Sequence, residues 1–238
     1  MMSEAGKLAV LYLYAYLAGS IPTANILARL VKGIDLRDYG SHNVGGSNLA
    51  AHVGKWWVIP MGFVDVFIKG ASAVWIGHYV PFFGWELTSA ELCGAGLIAI
   101  AGHNWSAYLK LEGGRGIAVA IGAIYAVAKW QMSLFAGVAL LFWFVRRSSG
   151  ISVYLSMLLL PLWTLVPWEP LRQPLSVTLF LVGVIVLITA KRLLGNWEPL
   201  PKDVPKRVVL FNRLLRDRDI TPRDEWVYRT PDKTAAKE

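Results

Sequence analysis

The feature that most constrains this sequence is a succession of apolar stretches separated by short polar segments. An α-helix needs about 17 to 25 apolar residues to cross the hydrocarbon core of a membrane. Seven stretches meet or approach this length, at residues 8–30, 56–79, 87–104, 117–128, 132–145, 151–166 and 175–190. Composition agrees, because 55% of the residues are hydrophobic and only 17% are charged. The sequence predicts an all-α, polytopic integral membrane protein with about seven transmembrane helices and short interfacial helices on the cytoplasmic side.

Two parts of this pattern allow another interpretation. The first stretch follows Lys7 and ends near small residues, as a cleavable signal peptide does, but no small-x-small cleavage site precedes a soluble domain. Stretches 117–128 and 132–145 are each short for a core of about 30 Å and would form one overlong helix if joined. Joining them would place Arg146 and Arg147 opposite the other basic loops, so we predict two helices.

The distribution of charge predicts the orientation. Twenty Lys and Arg residues fall on one side of the seven-helix topology and three on the other. Because basic loops stay in the cytoplasm, we expect a multi-pass membrane protein with its N-terminus outside and its C-terminus cytoplasmic. We divide the chain into a membrane domain, residues 1–196, and a polar cytoplasmic tail, residues 197–238. No basic stripe with interleaved aromatic residues points to nucleic acid, and Cys93, the sole cysteine, forms no intrachain disulfide.

The unusual polar clusters all fall on the predicted cytoplasmic side. In residues 40–48, Gly-Ser-His-Asn-Val-Gly-Gly-Ser-Asn, glycines allow close backbone approach, and Ser47 or Asn48 is predicted to cap a short helix running through His52. Residues 110–116, Lys-Leu-Glu-Gly-Gly-Arg-Gly, precede a helix predicted from Ile117. Backbone amides, a guanidinium and a helix N-terminus suit a phosphate group. The alternative for residues 40–48 is an ordinary interfacial loop. The alternative for residues 110–116 is a tight hairpin in which Arg115 is only a topological anchor.

Two further patterns place polar groups within apolar stretches. Asp65 and Lys69 share one helix face at i and i+4, either in a polar cavity or as a structural ion pair. Residues 20–25 form a polar, kinked patch in the first stretch, which includes Pro22. No P-loop lysine motif, nucleophile elbow, zinc-protease motif or dinucleotide fingerprint occurs. The His-x4-Asp signature of the commoner glycerolipid acyltransferases is also missing. We therefore expect no cofactor and no metal.

Seven short motifs stand in order along residues 19–195. They are Gly19-Ser20-Ile21-Pro22-Thr23, Gly33-Ile34-Asp35-Leu36-Arg37, Gly40 to Asn48, Asp65-x-x-x-Lys69-Gly70, Gly102-His103-Asn104-Trp105, Leu109 to Gly116 and Lys191-Arg192-Leu193-Leu194. This series resembles the bacterial acyl-phosphate:glycerol-3-phosphate acyltransferase family, PlsY type. The resemblance implies transfer of a fatty acyl chain from acyl phosphate to glycerol 3-phosphate, giving 1-acylglycerol 3-phosphate and phosphate in phospholipid synthesis. Implied partners are the two substrates, membrane lipids and an enzyme that produces acyl phosphate.

The residue types fit this chemistry. Both substrates are phosphate anions, which cations and amides bind, and an acyl phosphate is already activated, so no covalent serine or cysteine intermediate is needed. A base for the attacking hydroxyl would be His103 or a substrate phosphate oxygen. The catalytic residues that we predict are Ser41, His103 and Asn104. The residues predicted to bind substrate phosphate are Asn43, Gly45, Gly46, Ser47, Asn48, Lys69, Lys110, Gly113, Gly114, Arg115, Gly116 and Ser149.

Several positions depart from the family pattern. The family carries Lys where Arg115 stands and Arg where Ala51 stands. Its His-Arg-Glu-Asn segment aligns with Val186–Thr189, so a His and an Asn expected in the active site are replaced. Their loss either weakens catalysis, is compensated by His42 or Asn196, or marks a diverged homologue that no longer catalyses this reaction. A catalytically diverged homologue that binds or transports anions in the membrane is the alternative.

Overall fold

The computed structural model describes residues 3–80, 87–146 and 149–231, and these segments contain helices and connecting loops with no β-strand. Twelve α-helices are present in the described part of the chain. They are α1 (Glu4–Ser20), α2 (Thr23–Lys32), α3 (Gly46–His52), α4 (Val58–Phe63), α5 (Ser72–Tyr79), α6 (Ser89–Asn104), α7 (Ile117–Val127), α8 (Lys129–Arg146), α9 (Ser149–Trp163), α10 (Leu175–Leu194), α11 (Lys206–Arg216) and α12 (Arg223–Val227). A π-helical segment, Val64–Ala71, joins α4 to α5. The all-α prediction is confirmed.

Three helical stretches are long and apolar enough to cross a membrane, Glu4–Lys32, Lys55–Tyr79 and Leu175–Trp197. Shorter apolar helices cover Ile117–Val127, Lys129–Val145 and Gly150–Trp163. Large apolar side chains lie on the outside of the bundle, as contact with lipid requires; Leu13, Leu141 and Leu175 are each at least 59% exposed. The membrane-protein prediction is confirmed, and the number of seven spans stays a prediction.

The first and fourth predicted stretches behave as the sequence indicates. The helix from Glu4 is interrupted at Ile21 and Pro22, because proline lacks the N–H that would continue the hydrogen-bond ladder. Helices α7 and α8 are separate, since Ala128 adopts a non-helical conformation between them. The joined-helix alternative is therefore wrong.

Close backbone packing fixes α1 against α6. A Cβ added to Gly19 would collide with the carbonyl of Ala99, and one added to Gly102 would collide with the carbonyl of Tyr16. Small residues allow this approach, which is a common means of helix association in membranes. Ser106 Oγ then donates to the Ser20 carbonyl at 2.6 Å, so the C-terminal end of α6 lies against the α1 kink.

The π-helical segment packs in the same way against α7. A Cβ on Gly70 would collide with the carbonyl of Val119, and one on Gly122 would collide with the carbonyl of Val66. The wider π turn departs from the α-helical ladder, and such segments are frequent at functional sites. It carries Asp65 and Lys69 into the interior, where both are buried.

The C-terminal segment, residues 198–231, folds back onto the polar loops. Helix α11 packs against α9 and α10. After α12, Arg229 donates through Nε and a terminal nitrogen to the Gly40 carbonyl at 3.0 and 2.7 Å. His52 Nε2 lies 2.9 Å from the Val227 carbonyl oxygen. The described part of the predicted tail is therefore a docked layer over the loops that the sequence singled out.

Candidate active site

The candidate site is built on two segments, here called the serine loop (residues 40–48) and the arginine loop (residues 110–116). The serine loop runs into α3 and the arginine loop runs into α7. Both loops lie on the end of the bundle where α6 ends and α10 ends, under the C-terminal segment.

The serine loop is held by one buried asparagine. Asn48 Nδ2 lies within 2.9 to 3.0 Å of the carbonyls of Leu36, Tyr39 and Asn43, and the side chain is 2% exposed. Its amide nitrogen is therefore fully used by the backbone of residues 36–43, while its Oδ1 has no hydrogen-bond partner among the described residues. The geometry assigns Asn48 to shaping the loop, rather than to direct contact with a phosphate.

The short helix through His52 forms as the sequence predicts, but its cap differs. The N-cap is Gly45, which provides no side-chain hydrogen bond, and Ser47 and Asn48 lie inside the first turn. The predicted cap by Ser47 or Asn48 is wrong. Glycine at the cap leaves room for the buried Asn43 side chain, since a Cβ added to Gly45 would lie 3.1 Å from Asn43 Nδ2.

The remaining polar side chains of the serine loop differ in exposure. Ser41 is partly exposed, and no described residue accepts or donates a hydrogen bond to its hydroxyl. Asn43 is 9% exposed, and its Oδ1 has no hydrogen-bond partner among the described residues. Ser47 is exposed. Ser41 and Asn43 thus have unused hydrogen-bonding capacity, as does the buried Oδ1 of Asn48.

The arginine loop wraps around His103. Gly114 N–H donates to the His103 carbonyl at 3.1 Å. A Cβ on Gly113 would collide with that same carbonyl, and a Cβ on Gly114 would collide with His103 Nε2. The two glycines are required by this close approach. His103 itself is 9% exposed and lines a narrow cleft whose other walls include Ser20, Thr23, Val44, Gly113 and Gly114.

Gly116 and Asn104 form the start of α7. Gly116 is left-handed, with φ 77°, and is the N-cap residue of the helix that begins at Ile117, as predicted. A Cβ there would collide with Asn104 Oδ1, and Asn104 Nδ2 donates to the Leu187 carbonyl at 3.2 Å. Asn104 is completely buried. Its contacts connect α6, α7 and α10, which is the geometry of a positioning residue.

Arg115 lies at the centre of the cluster and is 7% exposed. One terminal nitrogen donates to the Lys191 carbonyl at 3.1 Å, at the end of α10. Its Nε lies 2.6 Å from Asp217 Oδ1, although the geometry is that of an ion pair rather than an aligned hydrogen bond. The predicted phosphate-binding guanidinium is therefore approached by a carboxylate of the C-terminal segment.

Lys191 is a candidate site residue that the sequence placed in a motif but did not assign to substrate binding. Its side chain is completely buried, and its Nζ has no hydrogen-bond partner among the described residues. The ammonium lies 5.7 Å from the Trp105 ring centroid, a cation–π distance. In the sequence, Lys191 is a lysine in the last turn of an apolar span. That position is as typical of a topological anchor as of a binding residue.

The buried pair predicted in the second stretch is present. Lys69 Nζ lies 2.5 Å from Asp65 Oδ1, and His103 Nδ1 lies 3.9 Å from Asp65 Oδ2. Both members of the pair are 2% exposed or less. Lys69 is therefore neutralised by Asp65, and its position next to His103 suits orientation of the imidazole better than direct phosphate binding.

Other predicted residues lie at the margin. Lys110 is exposed and adopts a left-handed conformation with φ 54°. Ser149 begins α9, but its side chain lies outside the part that the structure describes. Val186 is 58% exposed on α10, and Thr189 shares a hydrogen bond of 2.8 Å with the Tyr154 hydroxyl. Among the described residues, neither side chain at the two replaced family positions forms a hydrogen bond with either loop.

An ion-pair network precedes the serine loop. Asp35 Oδ2 lies 2.6 Å from Arg29 and 2.8 Å from Arg37, and Arg37 also reaches Glu112 of the arginine loop at 3.0 Å. Burial alone would raise the pKa of Asp35, but hydrogen bonds from Arg37 and Arg29 outweigh it and hold that pKa well below its usual range. The network ties the segment that precedes the serine loop to Glu112 of the arginine loop.

Comparison with solved structures defines the class of protein. A crystal structure described as the glycerol 3-phosphate form of PlsY, an integral membrane glycerol 3-phosphate acyltransferase, matches with a TM-score of 0.72 at 24% identity, covering 94% of this chain and 100% of that chain. The lysophosphatidic acid form matches with a TM-score of 0.70. The fold is therefore that of an integral membrane acyltransferase.

Sequence comparison then gives the family. Residues 9–197 match the family described as glycerol-3-phosphate acyltransferase. Glycerol-3-phosphate acyltransferase 5 of Dehalococcoides mccartyi is 31% identical over 222 residues, 92% of each chain. The enzyme of Pasteurella multocida is 36% identical over 154 residues, 64% of this chain and 74% of that one. The chain belongs to the glycerol-3-phosphate acyltransferase family, as the order of its motifs predicted.

Proposed function

We propose that this enzyme transfers a fatty acyl chain from acyl phosphate to glycerol 3-phosphate, and that Arg115 and Lys191 bind the substrate phosphate groups. The observation that carries the proposal is Lys191, a fully buried ammonium without a hydrogen-bond partner in the described structure. It sits next to Arg115, whose terminal nitrogen reaches the Lys191 carbonyl.

Burying a cation without a counter-charge is costly, since the lost hydration amounts to several kcal/mol even after relaxation. Two neighbouring cations add mutual repulsion. Asp217 supplies a single negative charge to Arg115. No carboxylate in the described part of the chain forms an ion pair with Lys191. A bound phosphate group would supply the missing charge and accept hydrogen bonds from both side chains.

The reaction needs little beyond positioning and charge stabilisation. The hydroxyl oxygen of glycerol 3-phosphate attacks the acyl carbon, a new ester C–O bond forms, and the C–O bond to the phosphate breaks. The hydroxyl proton leaves to a base, and inorganic phosphate departs with the bonding electron pair. Cations at the departing phosphate stabilise the charge that develops there.

The proposed roles follow from exposure and contacts. Ser41, partly exposed with a free hydroxyl, orients a substrate at the mouth of the site, and His103 or a substrate phosphate oxygen takes the proton. Asn104 positions the start of α7. Asn48 shapes the serine loop, and Lys69, paired with Asp65, orients His103. The remaining residues that complete the phosphate site are Asn43, Gly45, Gly46, Ser47, Lys110, Gly113, Gly114, Gly116 and Ser149.

The orientation in the membrane is part of the same proposal. The basic loops predict that residues 1–196 form a membrane unit whose loops face the cytoplasm, with residues 197–238 on that side and the N-terminus outside. An enzyme that makes acyl phosphate would then supply the donor from the same compartment. A reporter that is active only in the cytoplasm, fused after Glu238, should be active; an inactive reporter on a normally expressed fusion would refute this orientation.

The function is tested with purified protein, glycerol 3-phosphate and a long-chain acyl phosphate. We expect release of inorganic phosphate together with 1-acylglycerol 3-phosphate, and no product when acyl-CoA replaces acyl phosphate. Complementation of a strain that lacks its own acyltransferase provides the second arm. Failure of both arms with folded protein would favour the anion-binding or transport alternative, which the replacements at Val186 and Thr189 motivate.

A further inference from the structure

Asn196 lies just after the end of α10, between the serine loop and the arginine loop. It follows α10 in a left-handed conformation with φ 55° and is half-buried. Asparagine tolerates this conformation better than most residues with a side chain. The turn directs its amide group toward the serine loop and the arginine loop together.

The side chain of Asn196 makes three hydrogen bonds to the backbone of these loops. Its Oδ1 accepts from Gly113 N–H at 3.2 Å. Its Nδ2 donates to the Gly113 carbonyl at 3.1 Å and to the His42 carbonyl at 3.0 Å. Reversing the amide would set its oxygen against two carbonyls, so this orientation alone satisfies the surroundings.

We propose that Asn196 is a positioning residue that holds the serine loop and the arginine loop in register for acyl transfer. This inference rests on the proposed function, in which Ser41 of one loop and Arg115 of the other act on the same reaction. Gly113 and His42 each lie within two residues of one of those groups, so a shift at Asn196 is passed directly to both.

A second contact from the same turn supports the bridge. Glu198 Oε1 lies 2.8 Å from His42 Nδ1. The segment after α10 therefore contacts both the backbone carbonyl and the side chain of His42 in the serine loop. Another link runs from Arg37, just before the serine loop, to Glu112 of the arginine loop, and this ion pair is weakened by its partial exposure to solvent.

The expected effect is on turnover more than on binding. Each loop keeps its own amides and cations when the bridge is removed, so each substrate still binds. Their relative placement is lost, and a misplacement of about 1 Å can reduce rate by a hundredfold. We expect Asn196→Gly to lower kcat about tenfold or more, while the KM for glycerol 3-phosphate changes by less than about threefold.

Two variants separate the side chain from the backbone. Asn196→Gly keeps the left-handed turn without strain and removes the amide. Asn196→Asp keeps the acceptor for Gly113 N–H but places a carboxylate oxygen, instead of the amide NH₂, against the carbonyls of Gly113 and His42. This variant should lower kcat at least as much as Asn196→Gly. Asn212→Ala is the matched control, because Asn212 Nδ2 contacts the Asp219 carbonyl inside the C-terminal segment and touches neither loop.

The experiment combines steady-state kinetics with hydrogen exchange on the full-length protein in detergent. The proposal expects faster exchange in residues 40–48 and 110–116 of Asn196→Gly, with unchanged exchange in α6, together with the fall in kcat. Unchanged kcat, or exchange that rises only around residue 196, would overturn it. An inactive wild type would refute the proposed function, whereas the exchange comparison would still decide whether Asn196 couples the loops.

Discussion

At the scale of single residues, the site is defined by buried cations rather than by a nucleophile. Arg115 is 7% exposed, Lys191 is fully buried, and Lys69 is neutralised by Asp65. Natural proteins rarely keep such charges in the interior without a role, because their desolvation is unfavourable for folding. Removing the charge of Lys191 should therefore impair substrate binding without lowering the stability of the fold.

Lys191→Met tests that balance. Methionine has a similar length without the charge, so the unfolding temperature should stay unchanged or rise, while the KM for glycerol 3-phosphate or acyl phosphate rises by roughly tenfold or more. Thermal unfolding in detergent and steady-state kinetics measure both effects. Lys202→Met, at an exposed lysine, is the control. A variant that is destabilised and yet keeps wild-type KM values would show that Lys191 is purely structural.

At the scale of elements, the helices were predictable and the loop contacts were not. The helix start at Ile117 and the break at Pro22 follow from local signals, namely glycines before an apolar run and a residue without an N–H. The cap of α3 was mispredicted, because Asn48 Nδ2 donates to three carbonyls of the preceding irregular segment instead. The conformation of that segment decides the case, and no local sequence signal predicts it.

The ion pairs of Asp35 make a prediction about acid stability. A lowered folded pKa means that the stabilisation is present above the ordinary carboxyl value of 3.8 and is lost as pH falls below it. Asp35→Asn keeps the cap on Arg37 N–H but removes the charge. We expect a lower unfolding temperature at neutral pH and a shallower loss of stability below about pH 4. Parallel curves for wild type and variant between pH 3 and about 7 would contradict this role.

At the scale of the whole molecule, the C-terminal segment closes over the site. Asp217 reaches Arg115, and Arg229 reaches Gly40, and both pairs are more than a hundred residues apart in sequence. Composition alone predicted a polar tail. The contacts of Asp217 and Arg229 were not predictable, because acidic and basic residues of such a tail can equally remain exposed to solvent.

Asp217→Asn tests what this closure does to substrate binding. In the proposed site a phosphate group competes with the Asp217 carboxylate for Arg115, so removing that charge should lower the KM for glycerol 3-phosphate by about threefold to tenfold. Asparagine also tolerates the left-handed backbone at this position, with φ 58°. Asp224→Asn, at a highly exposed carboxylate, serves as control. A raised KM would mean that Asp217 instead holds the guanidinium in its binding geometry.

The most direct test of the account is the activity of Arg115→Ala beside Arg115→Lys. Charge-assisted hydrogen bonds contribute about 1.5 to 3 kcal/mol each, so the alanine variant should lose roughly tenfold or more in kcat/KM for glycerol 3-phosphate. The lysine variant should lose little, because it keeps the charge. Both should elute as folded protein from a sizing column. Full activity in Arg115→Ala, or loss that only follows misfolding, would show that the arginine is an anchor and that the phosphate site lies elsewhere.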